Sequence, residues 1–148
     1  MYAKHPEMSE AKFGELSIAM EAYAQMIMIA CKLKSKRALT RTVRDASYID
    51  LELRFNITYY ASWTSMRDRV LSSGIPMCDY SKEMFESGED IGKSVHLDHT
   101  TPVASLIAQF LSWGDELSTD KIKSAFYTNT WSFMSAKSNM SKGSKCAA

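Results

Sequence analysis

The chain has 148 residues, 45% of them hydrophobic and 24% charged, with a formal net charge of +1. That is the size of one domain with a core of its own, and the composition excludes a wholly disordered chain. The three cysteines, Cys31, Cys78 and Cys146, form no C-x-x-C pair, which excludes a disulfide framework and a four-cysteine zinc site and points to a reducing, cytoplasmic setting.

The first residues, "MYAKHPEMSEAKF", lack the apolar stretch of a secretory signal. The segment from Leu16 to Leu33 is the most apolar, but Glu21 and Gln25 make it too polar for a membrane span. Within Glu15 to Lys36, Leu16, Ala19, Met20, Tyr23, Met26, Ile27, Ala30 and Leu33 recur at helical spacing and predict a first helix. Next comes "KLKSKRALTRTVR", six basic residues without an acid, and Lys121 onward carries five more lysines, again without an acid. Such segregated charge suits a polyanion, although a solvated basic surface looks the same in sequence.

Residues 45–73 allow two readings. "LELRFNITY" alternates like a strand, whereas Ile49, Leu53, Ile57, Tyr60, Met66 and Val70 form a helical stripe between Asp45, as N-cap, and Gly74, as stop. Helix is favoured because no turn residue divides the run. "SSGIPMCDYSKEMF" and "ESGEDIG" are connections, the first with a turn of helix capped by Ser81.

A short strand is expected over Ser94 to Leu97, ended by Pro102. Val103, Leu106, Ile107, Phe110 and Leu111 then predict an amphipathic helix stopping near Gly114. Ser118 or Thr119 caps another through about Phe126, "TWSFMS" is a second strand, and "AKSNMSKGSK" is a polar helix ending at Gly143.

The chemistry concentrates in "HLDHTTPV", which holds two of the three histidines. Asp98 is a hard oxygen ligand suited to Mg²⁺, and His99 is the side-chain type that serves as a general base near neutral pH. Consecutive residues of an extended chain point to opposite sides, so one can hold a metal while the other faces a water at a single phosphate, although an Asp-His dipeptide with neither role looks the same in sequence. His96 shares a face with Asp98.

An Asp-His strand, a connection, an asparagine, a second strand, and a helix with "NMSKG" follow in order. The blocks "LDHTTPV" and "NTWSFMSAKSNMSKG", spanning roughly the last third of the chain, resemble the D-H-x-x-P and N-…-N-x-x-K-G patterns of HNH endonucleases, members of the His-Me finger (ββα-metal) superfamily. The resemblance implies an α+β, mostly helical fold in one domain: a helical part over residues 1–74 packed on a ββα-metal part over residues 75–148. It implies that His99 deprotonates the attacking water and that Asn129 braces the loop carrying it. Asp98 and Asn139 would hold one divalent ion, Mg²⁺ or Mn²⁺, which keeps several waters and so tolerates two protein ligands.

The interval between His99 and Asn129 is longer than in compact members of the family, and the zinc-binding cysteine pairs of many members are absent. Structural zinc is therefore not expected, and the helices must supply the rigidity. DNA is the expected partner, with Lys34, Lys36, Arg37, Arg41, Lys137, Lys142 and Lys145 as backbone contacts, no membrane partner, and a homodimer allowed. The expected activity is metal-dependent cutting or nicking of DNA, of a phage or mobile-element type. Two alternatives stay open: a helical DNA-binding domain without activity, and an RNase or toxin domain on the same fold.

Overall fold

The computed structural model describes residues 7–56, 95–129 and 131–135. They are mostly helical, with four α-helices and one antiparallel pair of strands among them.

Helix α1 spans Glu10–Lys32 and begins five residues before the expected Glu15. Ser9 explains the early start, because its hydroxyl accepts from the backbone N–H of Lys12 at 3.1 Å and Glu10 faces the positive end of the helix dipole. The helix also stops sooner than expected. Lys34 adopts the left-handed conformation at φ 54°, its N–H donates to Cys31 and that of Ser35 to Ala30. This is a Schellman end built without glycine. Leu16, Met20, Ala24, Ile27 and Ala30 form the buried stripe. Met26 and Leu33, expected in that stripe, are 50% and 73% exposed. Each lies six residues, about 240° of rotation, beyond a buried member, Met20 or Ile27.

Helix α2, Lys36–Phe55, follows at once. Asp45 therefore lies inside it and caps nothing, a correction to the sequence reading. The alternation in "LELRF" is helical, with Leu51 and Leu53 both buried and Leu53 part of the shared core. Asn56 ends the helix at φ 50° and returns its N–H to Glu52, in the left-handed region that asparagine tolerates. The expected continuation to residue 73, the turn at Ser81 and the polar C-terminal helix lie outside the described residues.

Strand β1 is Val95–His99, helix α3 Val103–Trp113, helix α4 Thr119–Thr128 and strand β2 Trp131–Ser135, with a 3₁₀ turn at Gly114–Glu116. Pro102 is the N-cap of α3, and Gly114 closes it at φ 53° and ψ −123°. Ser118 caps α4 through the N–H of Lys121. β1 and β2 are antiparallel, with Asp98 opposite Ser132 and His99 opposite Trp131. The core joins all four helices: Leu16, Met20 and Ile27 of α1 meet Leu39, Val43 and Leu53 of α2, Leu106 and Phe110 of α3, and Ile122 and Phe126 of α4. The rings of Phe110 and Phe126 lie 6.2 Å apart between α3 and α4.

No helix among the described residues is long and apolar enough to cross a membrane.

Candidate active site

Asp98 and His99 are the last two residues of β1, so the strand extends past the expected end at Leu97 and carries both. The imidazole of His99 is half-buried. Beyond it the chain bends at Thr100 and Thr101 before Pro102 opens α3.

Asn129 fixes this bend. Its Oδ1 accepts from the N–H of Thr101 at 2.8 Å, and its Nδ2 donates to the carbonyl of Thr101 at 3.1 Å. One side-chain amide thus engages both main-chain groups of one residue, as a paired strand would. Asn129 is only 3% exposed, and a polar side chain so placed needs such partners. Its backbone is engaged as well: the N–H donates to Phe126 at the end of α4, and the carbonyl accepts from Nη1 of Arg54 at 2.6 Å.

Arg54 reaches there from the last turn of α2. Its Nε donates to Oδ1 of Asp50 at 3.0 Å, one helical turn earlier, and its guanidinium lies 5.4 Å from the ring centre of Tyr127. The Asp50 side chain is fully buried and that of Arg54 is 15% exposed. A continuous chain of polar contacts therefore runs from Asp50 through Arg54 and Asn129 to Thr101, two residues from His99.

The sequence reading included Asn129 but missed Asp50, Arg54 and Thr101. The only local signal was an acid four residues before a base on a helix, a spacing that more often marks a solvated pair. Nothing local says that this pair faces a residue 75 positions away.

The expected nucleic-acid contacts divide. Lys34 lies in the turn between α1 and α2, and Lys36, Arg37 and Arg41 are exposed on α2. Arg44 joins them: Arg37, Arg41, Arg44 and Tyr48 recur along one side of the helix and border a shallow groove with Thr40 and Asp45. From Arg41 to Arg54 is thirteen residues, about 20 Å of helical rise. The basic row and the braced turn thus occupy opposite ends of α2. Lys137, Asn139, Lys142 and Lys145 lie outside the described residues.

Among the described residues no group of three or more His, Cys, Asp and Glu side chains gathers at one point. The set implied for a metal, Asp98 with Asn139, is one carboxylate and one amide, a hard oxygen donor set that suits Mg²⁺ or Mn²⁺ and does not suit zinc. A cavity of about 650 Å³ lies elsewhere among the described residues, between Met28, Cys31, Leu39, Phe110 and Leu117, with Lys34 on its border. Burial pushes the Cys31 thiol pKa up, so it stays protonated and is a poor nucleophile.

In comparisons with family models, curated proteins and solved structures, nothing matches this chain.

Proposed function

We propose that the protein is a metal-dependent DNA endonuclease or nickase of the HNH type, with a C-terminal ββα-metal element, acting in the cytoplasm in a phage or mobile-element setting. The observation that carries this reading is the two-way amide clamp of Asn129 on Thr101, in the turn directly after Asp98-His99. In the motif that the sequence resembles, the middle asparagine does this work for the loop bearing the general base. The antiparallel pairing of His99 with Trp131 adds support, because it brings the two sequence blocks side by side.

In this mechanism the neutral imidazole of His99 removes a proton from the attacking water, and Asn129 keeps the ring aimed by fixing the turn that follows it. Asp98 and Asn139 would hold the divalent ion, which when bound supplies charge neutralisation at the phosphate and at the departing 3′ oxygen. The row Arg37, Arg41 and Arg44 binds phosphates away from the braced turn, toward the N-terminal half of α2. Each site cuts one strand, so a monomer nicks where a homodimer cuts both.

Supercoiled plasmid incubated with and without Mg²⁺ or Mn²⁺ tests the reading. The expected result is metal-dependent conversion to open circles, abolished by His99→Ala with DNA affinity retained. Loss of general-base catalysis is typically worth about 10²–10⁴-fold. Cleavage at the wild-type rate by His99→Ala refutes the mechanism. Salt-sensitive binding without any cleavage favours the second reading, a DNA-binding helical domain, for which the arginine row of α2 alone suffices. Degradation of RNA with matched DNA intact favours the RNase or toxin alternative.

A further inference from the structure

Asp50 and Arg54 sit outside every sequence block that suggested a nuclease, yet Arg54 touches Asn129 directly. The side-chain clamp of Asn129 can fix Thr101 only if Asn129 is itself fixed. Asn129 follows the last residue of α4 with extended backbone angles, φ −73° and ψ 142°. Its peptide plane is therefore outside the helical ladder, and its carbonyl has no place in it. Nη1 of Arg54 holds that carbonyl at 2.6 Å. Nε of the same guanidinium is held by Asp50 at 3.0 Å, and the Tyr127 ring lies against the guanidinium.

We propose that the buried Asp50–Arg54 pair is a positioning device for the nuclease site, setting the peptide of Asn129 so that its amide can clamp the turn after His99. The inference rests on the nuclease reading for its functional meaning and on the contact chain for its physics.

Two features favour positioning over simple stabilisation. A buried ion pair is an ineffective way to stabilise a helix contact, since apolar residues of like volume usually do as well or better. What an apolar pair cannot do is donate to a main-chain carbonyl. The arrangement also needs arginine in particular. One rigid plane must offer two nitrogens in different directions, Nε to Asp50 and Nη1 to Asn129, whereas lysine offers one nitrogen on a flexible stem. Asp50 in turn fixes the rotation of the guanidinium so that Nη1 points at Asn129.

Arg54→Lys, Arg54→Met and the double replacement Asp50→Leu/Arg54→Met test this in the full-length protein. The double variant removes both charges and so avoids stranding a buried carboxylate. The first readout is hydrogen exchange at the Thr101 amide, followed by NMR against core amides of α1 and α3. All three variants should lose protection at Thr101 by about tenfold or more while the core amides of the double variant keep theirs, the mark of local opening. The second readout is plasmid nicking. We expect kcat to fall about 10- to 100-fold with KM unchanged, as for other residues that orient catalytic ligands. In an Asn129→Ala background, Arg54→Met should add less than about threefold, because both act through one contact chain.

Unchanged Thr101 protection overturns the proposal, and so does an equal loss at Thr101 and at the core amides in the double variant. Additive losses of kcat in the Asn129→Ala background also overturn it. If the wild-type protein cuts no DNA, the nuclease reading fails, and the exchange data alone decide whether the pair holds the turn.

Discussion

Replacing Asn129 with alanine removes two hydrogen bonds and little else. The N–H of Thr101 loses its acceptor at 2.8 Å, and the carbonyl of Thr101 loses its donor at 3.1 Å. The main-chain bonds of residue 129 to Phe126 and Arg54 survive the substitution. Each intramolecular hydrogen bond contributes about 1 kcal/mol net, and a buried group left without a partner costs about 1–3 kcal/mol. Thr101 is half-buried, so water recovers part of that cost. The sum is about 2–4 kcal/mol, a large share of the roughly 5–15 kcal/mol by which a domain is stable.

Urea denaturation followed by circular dichroism measures this directly, and the midpoint should fall with the slope unchanged. Asn129→Asp sharpens the test. A carboxylate still accepts from the N–H of Thr101 but faces the Thr101 carbonyl with a second acceptor. The carboxyl is buried beside an oxygen, so its folded pKa is raised above the unfolded value. The folded state then binds protons that the unfolded state releases, and the variant gains stability relative to wild type as pH falls through that raised value. A loss below about 0.5 kcal/mol for Asn129→Ala refutes the clamp as a structural element, since that is the size of an ordinary surface substitution.

Asp98→Ala should lose divalent-metal affinity and cleavage together, as seen by calorimetric titration; normal metal binding moves the site elsewhere. Triple replacement of Arg37, Arg41 and Arg44 by alanine should weaken binding to any DNA sequence and flatten the plot of log K against log salt by about 0.9 for each phosphate no longer neutralised. An unchanged slope removes α2 from the DNA path. Glu21 of α1 is bonded to Lys123 of α4, and that hydrogen bond is the main cause of a carboxyl pKa below the ordinary glutamate range. The stability from this pair is present at neutral pH and lost as pH falls from the ordinary glutamate range through the lower folded value. Because Glu21 is partly exposed, the loss is under about 1 kcal/mol, and Lys123→Met should erase it in acid titrations of thermal stability.

The parts of the fold legible in sequence are those where punctuation residues do the structural work. Pro102, Gly114 and Ser118 start, stop and cap α3 and α4 near where their types predict. The α1–α2 junction was illegible for the converse reason. Lys34 takes a left-handed conformation that costs an L-residue about 1 kcal/mol, offset here by the two Schellman hydrogen bonds, and no glycine marks the place. "LELRF" allowed a strand reading because Leu51 and Leu53 are both buried in a helix that packs against several elements, which imitates a period of two; the helix favoured in sequence is the one found through Phe55. In the candidate site, the pairing of Asn129 with the turn after Asp98-His99 joins two blocks that the sequence had set in one local pattern. Asp50 and Arg54 were not legible, because their meaning lies in a contact with Asn129 across 75 positions.

That contact also bears on how a two-stranded sheet keeps its geometry. Such a pair is marginal by itself in water, and the chain lacks the cysteine pairs that could clamp it through zinc. Here the end of the sheet that carries His99 is tied to the helices on both sides. Immediately after β1, the carbonyl of Pro102 accepts from Ser105 and Leu106, which locks the turn into α3. Immediately before β2, Asn129 is bound to α4 by its N–H and to α2 by its carbonyl. Those three helices share the core around Leu53, Phe110 and Phe126. The turn beyond His99 can therefore shift only if Thr101 leaves Asn129 or the core itself opens. If His99 is the general base proposed above, its ring must be held in register with a water and a phosphate, and packed helices fix the turn that follows it.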